Sequence, residues 1–364
     1  MKKILLLTMV AFVGVVGWIV LEWNSASNDI GDKPVIKIGV SLPLTGNIDY
    51  MGQAIKGAIL VAIQDLEHRN LKNKYEFIVE DNAYDAKRVN AINSKFLYAD
   101  KVGAIVDFAS IPGLATAQFA EKNEVIHFNA CASDRNVANG RYNFLHTTLP
   151  DMEAKLLIGD VVSKYKNVAL VVLNDASGNA TSIDMRKEMD AQGIRYTEYL
   201  VNPGTVDMRA LIEKIEKEEP DVYLVTLYSP TFEIFYKQMR EKGINKPITS
   251  THFFDNITNL DEMPDGTMWV AYANPEDMVK QRILKQNEGV SDYQVCLGNP
   301  YDIVNILVDT FESSETKEQA VDYLNNMKSY SGVFGEVKVD EDGVINTPPI
   351  KKKLMNGQVI VVKE

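Results

Sequence analysis

The chain has 364 residues, 46% of them hydrophobic and 24% charged, which is ordinary globular composition and enough chain for two domains with cores of their own. Its formal net charge is −12, and no Lys/Arg-rich stripe stands out, so a nucleic-acid partner is disfavoured. The one dense positive run, Lys351-Lys352-Lys353, reads as a solvated strand edge or turn.

Residues 1–27 read as an export signal: Lys2 and Lys3 precede an apolar run from Ile4 to Leu21, and Ser25-Ala26-Ser27 offers a cleavage site of small residues. The apolar run is long enough that retention as an N-terminal membrane anchor stays open. With no cysteine near it, lipid attachment there is excluded, and either way Asp29 onward is expected outside the cytoplasmic membrane. A strand–helix rhythm then begins. Val35–Leu42 reads as strand and Tyr50–Arg69 as helix, then Tyr75–Glu80 and Asp85–Asp100, Gly103–Phe108 and Leu114–Asn123, and a strand at Val125–Asn129. β-branched apolar runs alternating with amphipathic helices indicate a parallel sheet covered on both faces. The rhythm restarts with strands at Lys166–Leu173, Ile194–Leu200 and Asp221–Leu227, and helices at Gly178–Gln192, Met208–Lys217 and Thr231–Lys242. Short strands at Pro247–Thr251 and Thr267–Ala273 follow, then helices at Tyr301–Phe311 and Lys317–Met327. The tail reads as β runs at Gly335–Val339, Ile350–Leu354 and Val359–Val362, separated by Asp-Gly and Asn-Gly turns that signal hairpins. The acidic Asp340-Glu341-Asp342 lacks the spacing of a calcium loop and is assigned to a turn.

The chemistry that is missing narrows the function. The opening loop's glycines, Gly46, Gly52 and Gly57, are too far apart to bring backbone against a pyrophosphate, and no phosphate-binding loop, nucleophile elbow or zinc-protease motif occurs. His68, His127, His146 and His252 have no metal-ligand spacing. His127 and Cys131 lie close enough to imitate a base and a thiol nucleophile, but nothing nearby supplies an orienting third group. An exported protein could pair Cys131 with Cys296, yet two cysteines in so long a chain are no disulfide framework, and the expectation is against a bridge. No metal and no cofactor is expected. Binding without turnover is.

The stretch "IKIGVSLPLTGNIDYMGQAIKGA" resembles the opening of type I periplasmic binding proteins, in particular the leucine/isoleucine/valine-binding family that feeds ABC importers. "VEDNAYDAKRVNAINSKFL", "NPYDIVNILVDTFE" and "GVFGEVKVDEDGV" resemble later segments of that family in the same order. The resemblance implies an α/β fold of two doubly wound parallel-sheet lobes joined by three hinge crossovers and closing on a small molecule. By similarity one lobe is 33–148 plus 274–330, and the other 149–273 plus 331–364. The implied function is capture of a small polar ligand, an amino acid or a related amide or carboxylate, for delivery to ABC permease subunits. A ligand-sensing domain of a membrane-anchored receptor, or a protein presenting ligand to one, is the alternative. A monomer is expected.

Carried over by that resemblance, the family's ligand-binding serine falls on Ser110, at a strand end beside a helix start where a carboxylate is well placed. Capping of that helix is the plainer reading of the same residue. The family's backbone carbonyl and hydroxyl fall on Cys131 and Ser133, and its ligand-facing aromatic in the second lobe on Tyr228. Its aromatic before the first helical glycine falls on Met51, with Tyr50 adjacent. The acid that receives a ligand ammonium aligns with His252, and Asp255 follows three residues on. If the loop keeps the family's length the ligand lacks a free ammonium. If the loop shifts, Asp255 restores the acid. The family's first-lobe disulfide positions align with Tyr84 and Ala109, so that bridge is absent.

Overall fold

The computed structural model of the protein describes residues 33–257 and 262–362. The export signal expected at 1–27 lies outside the described residues. The first lobe opens with β1 (Val35–Leu42), α1 (Asp49–Leu66), β2 (Lys74–Asp81), α2 (Ala86–Lys95), β3 (Ala104–Phe108), α3 (Ser110–Asn123), β4 (Ile126–Ala130) and β5 (Asn143–Thr147). Into the second lobe run α4 (Pro150–Leu157), β6 (Asn167–Leu173), α5 (Ala176–Ala191), β7 (Arg195–Val201), α6 (Arg209–Glu216), β8 (Val222–Thr226), α7 (Thr231–Glu241), β9 (Ile248–Thr249) and β10 (Met268–Ala271). The chain returns through α8 (Asp277–Asn287), α9 (Gly298–Glu312), α10 (Lys317–Asn326), β11 (Ser329–Gly332), β12 (Gly335–Lys338) and β13 (Val344–Asn346), and ends on β14 (Ile350–Met355) and β15 (Gln358–Val362).

The first sheet has the order β13-β5-β4-β3-β1-β2 and is parallel throughout. Ile38, Val40 and Leu42 of β1 pack with Ala58 of α1 and Ile303 and Leu307 of α9 in one core. The second sheet, β7-β6-β8-β9, is parallel too. Val171 and Val225 of that sheet share a core with Phe235 of α7, Trp269 of β10 and Leu354 of β14. Strands buried on both faces need no polar alternation, which is why these runs read as continuous apolar stretches. The chain crosses between the lobes after β5, after β10 and after β13.

Three expectations are corrected. Residues 331–346 were placed with the second lobe, but β13 pairs with β5 in the first sheet, Val344 opposite Leu145, so the last crossing falls after Asn346. The Asp-Gly turn folds back through a single antiparallel bridge, Val339 with Ile345, onto a strand that joins β5 rather than onto Ile350–Leu354, whereas the Asn-Gly turn closes the β14–β15 hairpin. Cys131 and Cys296 are bonded to each other, with Cα atoms 6.2 Å apart, tying the end of β4 to the approach to α9. Their separation of 165 residues holds no local signal of proximity.

The opening loop is held by a carboxylate. Asp81, at the end of β2, accepts from Leu44 N at 2.8 Å, Thr45 N at 3.2 Å, Thr45 Oγ1 at 2.5 Å and Ala83 N at 2.9 Å. A Cβ on Gly52 would lie 2.0 Å from the Pro43 carbonyl oxygen, so glycine lets α1 start against the loop. Partial burial works to raise the Asp81 carboxyl, but the bonds from Thr45, Ala83 and Leu44 outweigh it and hold the carboxyl below its ordinary value of 3.8. This group thus stabilises the fold fully above the unfolded value and loses that contribution as pH falls through its lowered folded value. Asp81→Asn should cost about 1.5–3 kcal/mol near neutrality, the usual worth of hydrogen bonds to a charged group. Melting curves should show the gap from wild type narrowing below pH 3.8. A gap that stays constant into acid would contradict the assignment.

Candidate functional site

Open α/β sheets bind ligands outside the carboxyl ends of their parallel strands, and the candidate residues gather on the loops there. Several strand exits there turn through left-handed backbone without glycine: Ala83 and Tyr84 after β2, Ala109 after β3 and Cys131 after β4. Such conformations cost of order 1–3 kcal/mol each and gather at ligand clamps. Ala109 so turned puts Ser110 at the first position of α3, buried.

Ser110 does not cap its own helix. Its Oγ accepts from the backbone N–H of Ser133 at 3.1 Å and of Asp134 at 3.3 Å. A hydroxyl has two acceptor lone pairs and one hydrogen. With both lone pairs engaged, what Ser110 has left to give is its proton. Ser133 Oγ lies 3.0 Å from Ser177 Oγ of α5, a contact from the first lobe to the second. Ser177 Oγ lies 2.8 Å from Tyr228 Oη. Three of the expected residues are thus brought together: Ser110 Oγ holds the backbone of Ser133, and the hydroxyls of Ser133 and Tyr228 are joined through Ser177, which the sequence reading missed. The signal for it was present: Asp175 caps α5, accepting from Gly178 N at 2.8 Å, and an aspartate before a helical run marks its start.

A ladder of rings forms the second-lobe wall. Tyr228 and Phe253 have centroids 4.5 Å apart, Phe253 and His252 4.5 Å, and His252 and Tyr272 4.6 Å. Burial pushes the phenols of Tyr228 and Tyr272 up, so both are neutral hydrogen-bonding groups at any physiological pH. Burial also raises the Asp175 carboxyl, against the bonds from Gly178 and Ser177. Tyr50 stands at the first-lobe side, edge-on to Tyr293 at 5.9 Å, and its buried Oη has no hydrogen-bond partner among the described residues.

His252 is buried and does not face the cleft alone. Its Nδ1 is 2.9 Å from Glu153 Oε2, and its backbone N–H donates to Glu153 Oε1 at 3.1 Å. Glu153 is fully buried in α4, and burial raises its carboxyl although the His252 contacts oppose the rise. Glu153 escaped the sequence reading because α4 did. Its start signal is Pro150 at the first position with Asp151 and Glu153 in the first turn.

Two candidates do not reach the cleft as expected. Met51 packs into the first-lobe core, and Tyr50 packs partly buried against it. Asp255 is already engaged: Oδ1 accepts from Trp269 Nε1 at 2.8 Å and Oδ2 from Lys352 Nζ at 2.8 Å. Cys131 spends its sulfur on the bridge to Cys296. The base-and-thiol pair does not form, because His127 is bonded to Asp107 and Asn143.

A family model described as periplasmic binding protein matches residues 35–349. The chain belongs to that family. Membership implies an extracytoplasmic location, and among the described residues no helix is long and apolar enough to cross a membrane. A leucine-, isoleucine-, valine-, threonine- and alanine-binding protein of Pseudomonas aeruginosa is 22% identical over 217 residues, 58% of this chain and 58% of that protein, less than two thirds of its length. The leucine-binding protein LivK of Thermotoga maritima superposes with a TM-score of 0.80 at 19% identity, covering 90% of this chain and 98% of that one. A solute-binding protein of an ABC transporter from R. palustris, in complex with 4-hydroxybenzoate, also reaches 0.80 at 17% identity, covering 91% and 96%. At those identities the structural likeness establishes the type I periplasmic binding protein fold. These relatives are binding proteins rather than enzymes.

Proposed function

We propose that this periplasmic binding protein captures a small polar solute between its lobes, without chemical change, and delivers it to the permease subunits of an ABC importer. The observation that carries the reading is the hydroxyl chain Ser133–Ser177–Tyr228, which draws on both lobes, is braced by Ser110 Oγ through the Ser133 backbone N–H, and ends on a wall of aromatic rings. Hydroxyl protons and the N-terminus of α3 suit a carboxylate or an equivalent oxygen, and the rings suit an apolar body. The amino-acid and aromatic-acid ligands of relatives are the two classes to compare.

Ser110→Ala and Ser133→Ala should each weaken ligand binding about 10- to 150-fold, the equivalent of about 1.5–3 kcal/mol for a bond to a charged group. Calorimetry with the solute recovered from the protein gives the comparison, and circular dichroism checks the fold. Wild-type affinity in both variants would remove the site from this cleft wall.

A further inference from the structure

The Cys131–Cys296 bridge joins two segments that both carry candidate site residues, and loop closure alone does not account for that placement. Cys131 leaves β4 and begins the turn that carries Ser133, while Cys296 lies in the segment between α8 and α9. Both cysteines hold left-handed backbone, with φ of 62° and 60°. A residue other than glycine stays there only when its surroundings fix it.

The two segments are held very differently. On the turn, Cys131 N donates to the His146 carbonyl at 3.0 Å, Ala132 N to Asn129 Oδ1 at 2.9 Å, and Ser133 N and Asp134 N to Ser110 Oγ. The other segment carries Tyr293, edge-on to Tyr50, and Ser291, whose Oγ donates to the Tyr50 carbonyl at 2.6 Å. That segment has no ladder of its own. Among the described residues, no backbone N–H of residues 292–297 bonds to a backbone carbonyl, and Tyr293 N turns instead to Ser291 Oγ at 3.1 Å. Side-chain contacts and one covalent link therefore place it, and the link holds the two cysteine Cα atoms 6.2 Å apart.

Resting on the solute-binding reading, we infer that the Cys131–Cys296 bridge is a positioning element of the binding site: it holds the Ser133 turn and the Tyr50–Tyr293 wall at one spacing, so that the site is ordered before the solute arrives. Cys131 is 7% exposed and Cys296 3%, both within the first-lobe core. Dissolved thiols do not reach sulfurs so buried, which makes the bridge a permanent brace rather than a switch. Without it, binding has to order the turn and the segment itself. Freezing one backbone residue costs about a factor of 10 in affinity, and a site ordered in advance avoids that cost. Both cysteines act through the segments they join and are positioning residues.

Two altered proteins separate positioning from loop closure. Cys131→Ala/Cys296→Ala removes the link, and alanine already holds left-handed backbone at Ala83 and Ala109. For the second, wild type is reduced in denaturant, its two thiols are joined through one methylene from diiodomethane, and the chain is refolded. The loop then stays closed while the link is one atom longer. Amide exchange across residues 131–134, followed by mass spectrometry, should run about 10-fold or more faster in the double variant, beyond any change in β1 and β6. Calorimetry with leucine and with 4-hydroxybenzoate, the ligands named for two relatives, should show whichever one wild type takes bound about 10-fold or more weakly. The methylene-linked protein should melt near wild type and still bind more weakly, a loss that loop closure alone does not produce. Wild-type exchange or wild-type affinity in the double variant overturns the inference, and so does wild-type affinity in the methylene-linked protein. If the double variant does not fold, the methylene-linked protein decides. If wild type binds neither probe, the ligand classes proposed above fail, and exchange across residues 131–134 in the altered proteins still decides this inference.

Discussion

The double variant Cys131→Ser/Cys296→Ser is expected to be less stable than wild type by about 2–5 kcal/mol. The bridge closes a loop with a sequence separation of 165 residues, which contains α4 to β10 of the second lobe. In the chain-entropy account the constraint on the unfolded state grows slowly with loop length, so a loop of this size stands at the upper end of the range. Both sulfurs are buried in the first-lobe core, so the serines also put hydroxyls among apolar neighbours. Urea unfolding of oxidised wild type and the double variant measures the difference. A loss below about 0.5 kcal/mol, the size of an ordinary surface substitution, would mean that the bridge does not constrain the chain.

Loss of the Asp107 carboxylate should cost about 3–5 kcal/mol, the penalty for stranding the partner of a buried pair. Asp107 of β3 and His127 of β4 are fully buried, with Nε2 2.9 Å from Oδ1. The same Oδ1 accepts from Asn129 Nδ2 at 2.6 Å, and Asn129 Oδ1 accepts from Ala132 N at 2.9 Å, two residues before Asp134. His127 Nδ1 meets Asn143 of β5 at 3.0 Å. One polar network therefore crosses three strands and braces the turn that carries Cys131 and Ser133. Asp107→Ala leaves His127 Nε2 without its partner in a buried core and takes from Asn129 Nδ2 one of its two acceptors, the Ala109 carbonyl remaining. Its denaturation midpoint should drop accordingly, and ligand binding should weaken through the displaced turn. Stability within about 1 kcal/mol of wild type would show that the network relaxes at little cost.

Legibility in the sequence followed periodicity. The strands β1, β3, β6 and β8 are apolar runs in a parallel sheet, and their alternation with helices implied two doubly wound lobes. β5 was hidden because Asn143, His146 and Thr147 are polar yet buried, each satisfied by partners that only the fold supplies. α8 shows the core only Val279, Ile283 and Asn287, too thin a stripe to stand out. β13 is three residues long, and only its register on β5 identifies it. At the site, Ser110, Ser133 and Tyr228 were legible through the resemblance, and the structure brings them together. Ser177 and Glu153 were not, since their importance comes from contacts made across the cleft and across the hinge, to residues 44 and 99 positions away. Asp255 misled for the converse reason. An acid near the expected place says nothing of Trp269 and Lys352, which claim it.

The central claim is solute capture between two lobes, and the most direct test is to ask what the protein carries. The chain is purified under native conditions and denatured, and the released small molecules are identified and quantified by mass spectrometry. The same solute is then returned to the refolded protein while small-angle scattering and melting are followed. The account predicts one small solute near equal stoichiometry, recovered unchanged after prolonged incubation, with a more compact particle and a higher melting temperature on rebinding. Recovery of a chemically altered solute, or rebinding with neither compaction nor stabilisation, would contradict it.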